Sequence, residues 1–310
     1  MQRRKFIGTV AGGLIAGVVS LPARARAAEP TSTASGGVAS PKERELAQSI
    51  EARLAAIEAR VAGRLGVSIV DTDSGFAAGY RDNERFPMCS TFKALAAAAV
   101  LERVDKQLDD LSRRIVFTRE ELVPYSPETG KHTGGKGMTL SELCEAAVTL
   151  SDNTAGNLLL ASIGGPAGLT AFTRRLGDTV TRLDRTEPTL NESLPGDPRD
   201  TTSPAAMLAT LRTLLLGNRL SPRSRERWLA WLEGNRTGDK RIRAGLPKGW
   251  RVGDKTGTGE RGTANDVALV WPPGRGPIIV TAYLTATTAA AGERDAALAD
   301  VGRLAASIVR

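Results

Sequence analysis

Ala264-Asn-Asp-Val-Ala-Leu-Val-Trp271 and Pro277-Ile-Ile-Val-Thr-Ala-Tyr-Leu-Thr285 are strand-length apolar runs close to the C-terminus, and Trp250 to Lys255 has the same character just before them. The opposite end of the chain holds the matching piece. Val67-Ser-Ile-Val70 alternates into a turn at Asp71-Thr-Asp-Ser-Gly75 and, with Phe76 to Tyr80, reads as a hairpin. Both chain ends therefore supply a sheet, and what lies between them reads as helix. Ser90 to Arg103 is Ala-rich, the best helix composition in the chain. Thr139-Leu-Ser-Glu142 is a capping-box pattern opening a helix to about Leu150. Ser203-Pro204 and Ser221-Pro222 open two more, the first closing at Gly217. Helices also flank the sheet. One starts at Ser40-Pro41 and carries Leu46, Ile50, Leu54, Ile57 and Val61 at helical spacing; the other runs from about Glu293 to Ile308. The expected fold is α+β: an antiparallel sheet flanked by helices and built from residues 41–85 and 241–310, with an all-helical domain, residues 86–240, inserted between. A cleft is expected where the layers meet.

The first 27 residues do not belong to that fold. Arg3-Arg4-Lys5, the apolar stretch Phe6 to Leu21 and the small-x-small pattern Ala25-Arg26-Ala27 read as a cleaved signal peptide. The apolar stretch is short for a membrane span, which needs about 20 residues. The paired arginines resemble a twin-arginine signal, which exports folded protein to the periplasm or the exterior. Residues 28–40 are a flexible lead-in rich in small and polar residues. Five of the positive charges, Arg3, Arg4, Lys5, Arg24 and Arg26, would leave with the signal, lowering a net charge of +8 to +3. With aromatics at only 4%, the chain is not read as a nucleic-acid binder. No cysteine precedes Cys89, so neither a lipid anchor nor any other stable membrane anchor is expected after cleavage, and the mature protein is expected to be a monomer. One histidine, His132, and two cysteines, Cys89 and Cys144, argue against a structural metal site, and no cofactor is implied.

Three short strings carry the chemistry: Ser90-Thr-Phe-Lys93, Ser151-Asp-Asn153 and Lys255-Thr-Gly257. Alone, each is ordinary. The first could be a capping serine with a solvated lysine, the second a helix-to-loop transition, the third a strand edge made soluble by a lysine. In this order they supply a serine nucleophile and two lysines without a histidine partner. If Ser90 begins its helix, Lys93 lies one turn along on the same face, and a lysine desolvated in a cleft can act as a base. Gly257 would let a ligand approach the strand backbone.

Together the strings resemble the penicillin-recognising serine enzymes, and among them the class A β-lactamases. The resemblance extends through Tyr125-Ser-Pro, Asp184-Arg185-Thr-Glu187-Pro-Thr-Leu-Asn191, Arg199-Asp200-Thr-Thr and Gly253-Asp-Lys-Thr-Gly257. It implies that Ser90 attacks a lactam carbonyl and is acylated, with the Ser90 and Thr258 N–H groups as oxyanion hole. It implies that Ser151 passes a proton to the departing nitrogen and that Asn153 holds the substrate side-chain amide. Lys255, Thr256 and Thr258 would receive the substrate carboxylate, Tyr125 would wall the mouth, and Glu187 with Asn191 would hold the deacylating water. It leaves open whether Lys93 or Glu187 is the base in acylation. An Arg185–Asp200 ion pair would fasten a surface loop over residues 185–200, and a cis Glu187–Pro188 bond would aim the carboxylate inward.

Three departures matter. The strand position where some members carry an arginine is Ala264 here, which leaves Arg241 to supply that charge. The family partners of Cys89 and Cys144 are replaced by Gly259 and Ala97, so both thiols are expected to be free. Two further readings share the three strings: a penicillin-binding receptor that stays acylated, and a peptidoglycan transpeptidase or carboxypeptidase. Glu187 with Asn191 favours the hydrolase over both.

Overall fold

The computed structural model of the protein describes residues 40–309; the expected signal peptide and most of the lead-in lie outside the described residues. Ser40 opens the first helix, α1 (Pro41–Val61), by a reciprocal cap. Its hydroxyl accepts from the Glu43 N–H, and the Glu43 carboxylate accepts from the Ser40 N–H. Such a cap contributes about 1 kcal/mol. Then follow strands β1 (Arg64–Asp71), β2 (Ala77–Tyr80) and the short β3 (Phe86–Pro87). A single 3-10 turn, Cys89–Thr91, feeds helix α2 (Phe92–Asp105). The middle of the chain holds β4 (Arg114–Ile115), β5 (Met138–Thr139), α3 (Leu140–Thr149), α4 (Asn153–Ser162) and α5 (Gly165–Arg175). It continues through β6 (Thr201–Thr202), α6 (Pro204–Leu216), α7 (Pro222–Glu233) and the one-turn α8 (Ile242–Gly245). Strands β7 (Arg251–Thr258), β8 (Ala264–Trp271) and β9 (Ile278–Thr285) and helix α9 (Ala291–Ser307) complete it.

The large sheet has the order β2-β1-β9-β8-β7, every neighbouring pair antiparallel, so the two ends of the chain meet at β1 and β9. Strands β1, β7, β8 and β9 are buried on both faces over most of their length, and alternation sorts their side chains into two cores. Leu65, Val67, Ile69, Ala268, Val270, Val280 and Leu284 pack with α1 and α9. Val70, Val267, Leu269, Ile279 and Tyr283 pack on the helical side with α2, α6 and their neighbours. Helix α2 is the axle of that side: Phe92 to Glu102 are buried without a break. Its run of alanines lets other helices approach closely, and the Trp228 indole donates to the Ala94 carbonyl at 3.0 Å.

Two expectations are corrected. The α-helix begins at Phe92 and not at Ser90, because Cys89 has φ 45° and the chain turns through a 3-10 step before it can propagate. The middle section is also not purely helical. Phe86–Pro87 pairs with Thr201–Thr202, and Arg114–Ile115 with Met138–Thr139, each a two-residue ladder that ties a loop down.

Candidate active site

Ser90 sits in the 3-10 turn and Lys93 one turn on, as the three-residue spacing demands. The Lys93 ammonium, fully buried, donates to Ser90 Oγ (2.9 Å), the Ser151 carbonyl (2.9 Å) and Asn153 Oδ1 (2.6 Å), and lies 2.9 Å from Glu187 Oε1. Burial pushes its pKa down, and the Glu187 carboxylate opposes that shift. Ser90 Oγ in turn donates to Glu187 Oε1 at 3.0 Å. One serine oxygen thus touches both a buried amine and a buried carboxylate.

Ser151 and Asn153 come from the corner between α3 and α4. Ser151 adopts φ 58°, a left-handed conformation that breaks the helix and turns its side chain toward β7. Asp152 between them caps α4 through the Ala155 N–H (2.8 Å) and takes the Glu128 and Thr129 N–H groups on its other oxygen (2.9 Å each). Asn153 binds the carbonyls of the 124–125 segment's loop from both ends: its N–H donates to Tyr125 O and its side-chain amide to Pro124 O. Tyr125 itself is left 61% exposed.

The third string lies wholly within β7, an edge strand. Lys255 Nζ crosses to Ser151 Oγ (3.0 Å) and also donates to the Thr256 carbonyl (2.8 Å). Burial first, then the charges of Lys93 and Arg241, lowers its pKa well below that of a free lysine. The Gly259 N–H donates to the Thr263 carbonyl, which makes 259/263 a hydrogen-bonded pair; alternation then takes Thr258/Ala264 out of the ladder and turns the Thr258 N–H to the open edge. That edge is where the Cys89–Thr91 turn packs. Gly257 has a structural use beside the one expected. A Cβ there would lie 2.7 Å from the Met88 carbonyl, so the bare strand admits the serine-bearing turn. Arg241 reaches in from the N-terminal side of α8. It donates to Thr258 Oγ1 (2.8 Å) and to the carbonyls of Gly257 (2.8 Å) and Asn265 (2.7 Å), and it pairs with Asp295 at 3.0 Å. Ala264 faces Thr258 across the ladder and contributes no charge.

The loop between Arg185 and Asp200 supplies Glu187. Arg185 Nε donates to Asp200 at 2.6 Å, and the other Asp200 oxygen accepts the Asp184 and Arg185 N–H groups. The Glu187–Pro188 bond is cis. Glu187 Oε2 accepts from Asn191 Nδ2 at 2.5 Å, while Asn191 Oδ1 is buried with no partner among the described residues. Both cysteines are free. Cys89 Sγ lies 3.9 Å from Ser193 Oγ, and burial pushes its thiol up to about 12; a Cβ on Gly259 would stand 2.6 Å from that sulfur.

Residues that the sequence strings did not name complete the cluster. Asn157 donates to the Glu187 carbonyl (3.0 Å) and accepts from its N–H (2.9 Å). It stands four residues after Asn153 on the same face of α4, and that spacing was the available signal. Asn265 ties the serine turn to β8 through the carbonyls of Pro87 and Met88. Thr237 Oγ1 lies 2.5 Å from Thr256 Oγ1. Outside the cluster, a cavity of about 930 Å³ opens between the ends of α2 and α7, lined by Arg103, Asp105, Leu108, Arg223 and Arg227.

The sequence model of the Beta-lactamase enzyme family matches residues 48–309. β-Lactamase CTX-M-8 of Citrobacter amalonaticus is 49% identical over 258 residues, which cover 83% of this chain and 88% of that one. β-Lactamase L2 of Stenotrophomonas maltophilia is 44% identical over 310 residues, covering 100% and 99%. Among solved structures, the class A β-lactamase of the last common ancestor of Gram-negative bacteria (GNCA4) superposes with a TM-score of 0.83 at 62% identity, covering 84% of this chain and all of that one. The chain belongs to the β-lactamase enzyme family, and within it to the class A serine β-lactamases: it is an α+β hydrolase of β-lactams.

Proposed function

We propose that hydrolysis proceeds through an acyl-enzyme on Ser90 that a Glu187-activated water resolves. The observation that carries this is the double contact of Ser90 Oγ, which accepts from Lys93 Nζ and donates to Glu187 Oε1. In acylation the Ser90 oxygen forms a bond to the lactam carbonyl carbon as its proton leaves to Lys93 or Glu187. The Ser90 and Thr258 N–H groups stabilise the oxyanion, and donors of this kind are worth about a hundred- to a thousand-fold in rate each. As the carbon–nitrogen bond breaks, Ser151 gives the nitrogen a proton and is restored by the proton that left Ser90, which frees Lys93 and Glu187 for the next step; Lys255, 3.0 Å from Ser151 Oγ, favours the transient oxyanion. In deacylation a water gives its proton to Glu187, its oxygen attacks the ester carbon, and the ester bond breaks to return a protonated Ser90. The unpartnered Asn191 Oδ1 beside the carboxylate supports a water site there.

In this proposal the substrate carboxylate is received by Lys255, Thr256 and Thr258, with Arg241 behind Thr258, and Gly257 serves the serine turn. Asn153 takes the side-chain amide and Tyr125 bounds the mouth. The division into a sheet domain (41–85 and 241–310) and a helical domain (86–240) belongs to the same picture: the groups that receive the substrate carboxylate come from the first, the serines and Glu187 from the second. Export to the periplasm or exterior by a twin-arginine signal is supported by Arg3-Arg4-Lys5 and Ala25-Arg26-Ala27, and N-terminal sequencing of exported protein would locate the cleavage.

The mechanism is tested by Glu187→Gln, which keeps shape and removes the base. Mass spectrometry with a penicillin should show a persistent adduct of the whole drug mass on Ser90, outlasting the native one by about a hundred- to ten-thousand-fold. Native turnover by the mutant would remove Glu187 from the mechanism. A stable adduct on the unmutated enzyme would do so as well.

A further inference from the structure

The carboxylate-receiving strand β7 and its neighbour β8 carry two fully buried aspartates, Asp254 and Asp266. The register sets Asp266 opposite Thr256 and Asp254 opposite Ala268, so both aspartates share one face and stand as diagonal neighbours around Thr256. Since 259/263 is a hydrogen-bonded pair, Thr256/Asp266 falls on the non-bonded positions, where facing side chains lie closest. Asp266 is thus a direct neighbour of Thr256 and touches no substrate itself.

Donors are shared unequally between the two. Asp254 has both oxygens engaged, one by the Arg243 guanidinium and the other by Asn235 Nδ2 at 2.5 Å. Asp266 receives one donor, the Ile242 N–H, at Oδ2 (3.1 Å), and its Oδ1 is buried with no donor among the described residues. A buried carboxylate oxygen without a donor is costly, whereas the same oxygen bearing a hydrogen becomes a donor itself. We propose that Asp254 and Asp266 hold a single proton between them in the resting enzyme, carried on Asp266, and that this neutral acid is a positioning residue that keeps the pocket for the substrate carboxylate net positive. The proposal rests on the assignment of Lys255, Thr256 and Thr258 to that pocket.

The surrounding charges agree. From β7, Asp254 opposes a second ionisation and is, after burial, the largest influence on Asp266, whose pKa is driven well up; Lys255 on the same strand opposes that shift. From α8, Arg241 and the Ile242 N–H also favour the ionised form, but Arg241 is already paired with Asp295 of α9, and Arg243 with Asp254 and Asp239. From β9, Asp266 meets the small, uncharged Ala282. With Asp266 neutral, the negative charge behind Thr256 is that of Asp254, already matched by Arg243. With it ionised, an unmatched negative charge would stand one residue from the bound carboxylate, a repulsion of roughly ten- to thirty-fold in KM at the effective dielectric of a protein site.

Two measurements test this, and the first needs no substrate. Infrared difference spectra of the ligand-free protein at neutral pH, with and without ¹³C-aspartate, should contain the carbonyl stretch of a protonated carboxylic acid, and Asp266→Asn should abolish it. Asp254→Asn, which removes the opposing charge, should make the band titrate away at lower pH. Absence of the band in the native protein, or its survival in Asp266→Asn, would overturn the proposal, whatever the enzyme does to β-lactams. In the second, KM for a penicillin is followed as pH rises. Asp266→Asn should match the native enzyme within about three-fold at neutral pH and escape part of its alkaline rise. A several-fold lower KM for Asp266→Asn already at neutral pH would mean that Asp266 is ionised, and would overturn the proposal. If the infrared band behaves as expected and KM does not respond, the proton assignment stands and the carboxylate-pocket role is refuted.

Discussion

Lys93 and Lys255 are both wholly buried, stand on either side of Ser151, and are held in opposite ways. Lys93 has a carboxylate, Glu187, at 2.9 Å and three further acceptors around its ammonium. Lys255 has a hydroxyl and a carbonyl, and the carboxylate of Asp254, its neighbour on β7, projects from the opposite face of the strand, where Arg243 already engages it. The first region is internally complete, which suits a group that must exchange protons with a serine 2.9 Å away. The second is short of one negative charge, which suits a group that must receive one. Completeness belongs to the catalytic step and deficiency to binding.

Substituting each lysine by methionine, of similar volume, should break the comparison most forcefully. Lys93→Met leaves the Glu187 carboxylate buried and unpaired, a defect that costs about 3–5 kcal/mol and should lower Tm by on the order of ten degrees in a chain of this size. Lys255→Met removes a buried charge that has no carboxylate in contact, and should leave Tm unchanged or higher while β-lactam binding is lost. The sign can be followed with pH. A lysine whose pKa is depressed by folding destabilises the folded state below its native pKa, and this penalty vanishes above its unfolded value of about 10.4. The advantage of Lys255→Met in Tm should therefore be greatest at the acid end and fade as pH rises. Equal losses of stability in the two variants would show that the regions do not differ as described.

A smaller effect sharpens the binding side. Because burial, Lys93 and Arg241 depress the pKa of Lys255, rising pH should strip its charge early and weaken capture of a carboxylate, by up to about tenfold in kcat/KM per pH unit on the alkaline limb. Arg241→Ala removes one of the charges that depress it. The expected outcome has two parts: kcat/KM for penicillins falls by about ten- to a hundred-fold, since Thr258 Oγ1 loses its charged donor, and the alkaline limb moves to higher pH. A kcat/KM unchanged by Arg241→Ala would mean that Lys255 and the two threonines suffice.

Much of this was legible in the chain because it follows from local spacing. The strands at both ends, the Ser40 and Thr139 caps and the pairing of Ser90 with Lys93 are all set by residues within one or two turns of each other. What the chain did not disclose depends on long-range register. Asp254 and Asp266 look like ordinary acids in strands until the β7–β8 pairing puts them on one face. Gly257 reads only as room for a ligand, and the packing of the serine turn against it is visible only in the fold. The left-handed Cys89 that delays α2 has no residue signature, since a non-glycine residue at positive φ is held there by its surroundings.

The smallest expected effect lies on the catalytic side, at Asn157. Its amide grips both backbone polar groups of Glu187, so it fixes where the carboxylate starts without touching the carboxylate itself. Removing it by Asn157→Ala withdraws two hydrogen bonds of about 1 kcal/mol each, part of which water can replace in a loop still fastened by Arg185 and Asp200. Deacylation, which depends on the aim of Glu187, should slow by about tenfold, whereas capture of the substrate carboxylate, which depends on Lys255, should not change. Pre-steady-state kinetics would then show a burst of one equivalent followed by a slower steady rate, with the alkaline limb at its native position. A shift of that limb, or a loss confined to acylation, would mean that the two lysine regions are coupled through α4 and are not the separate devices their contacts describe.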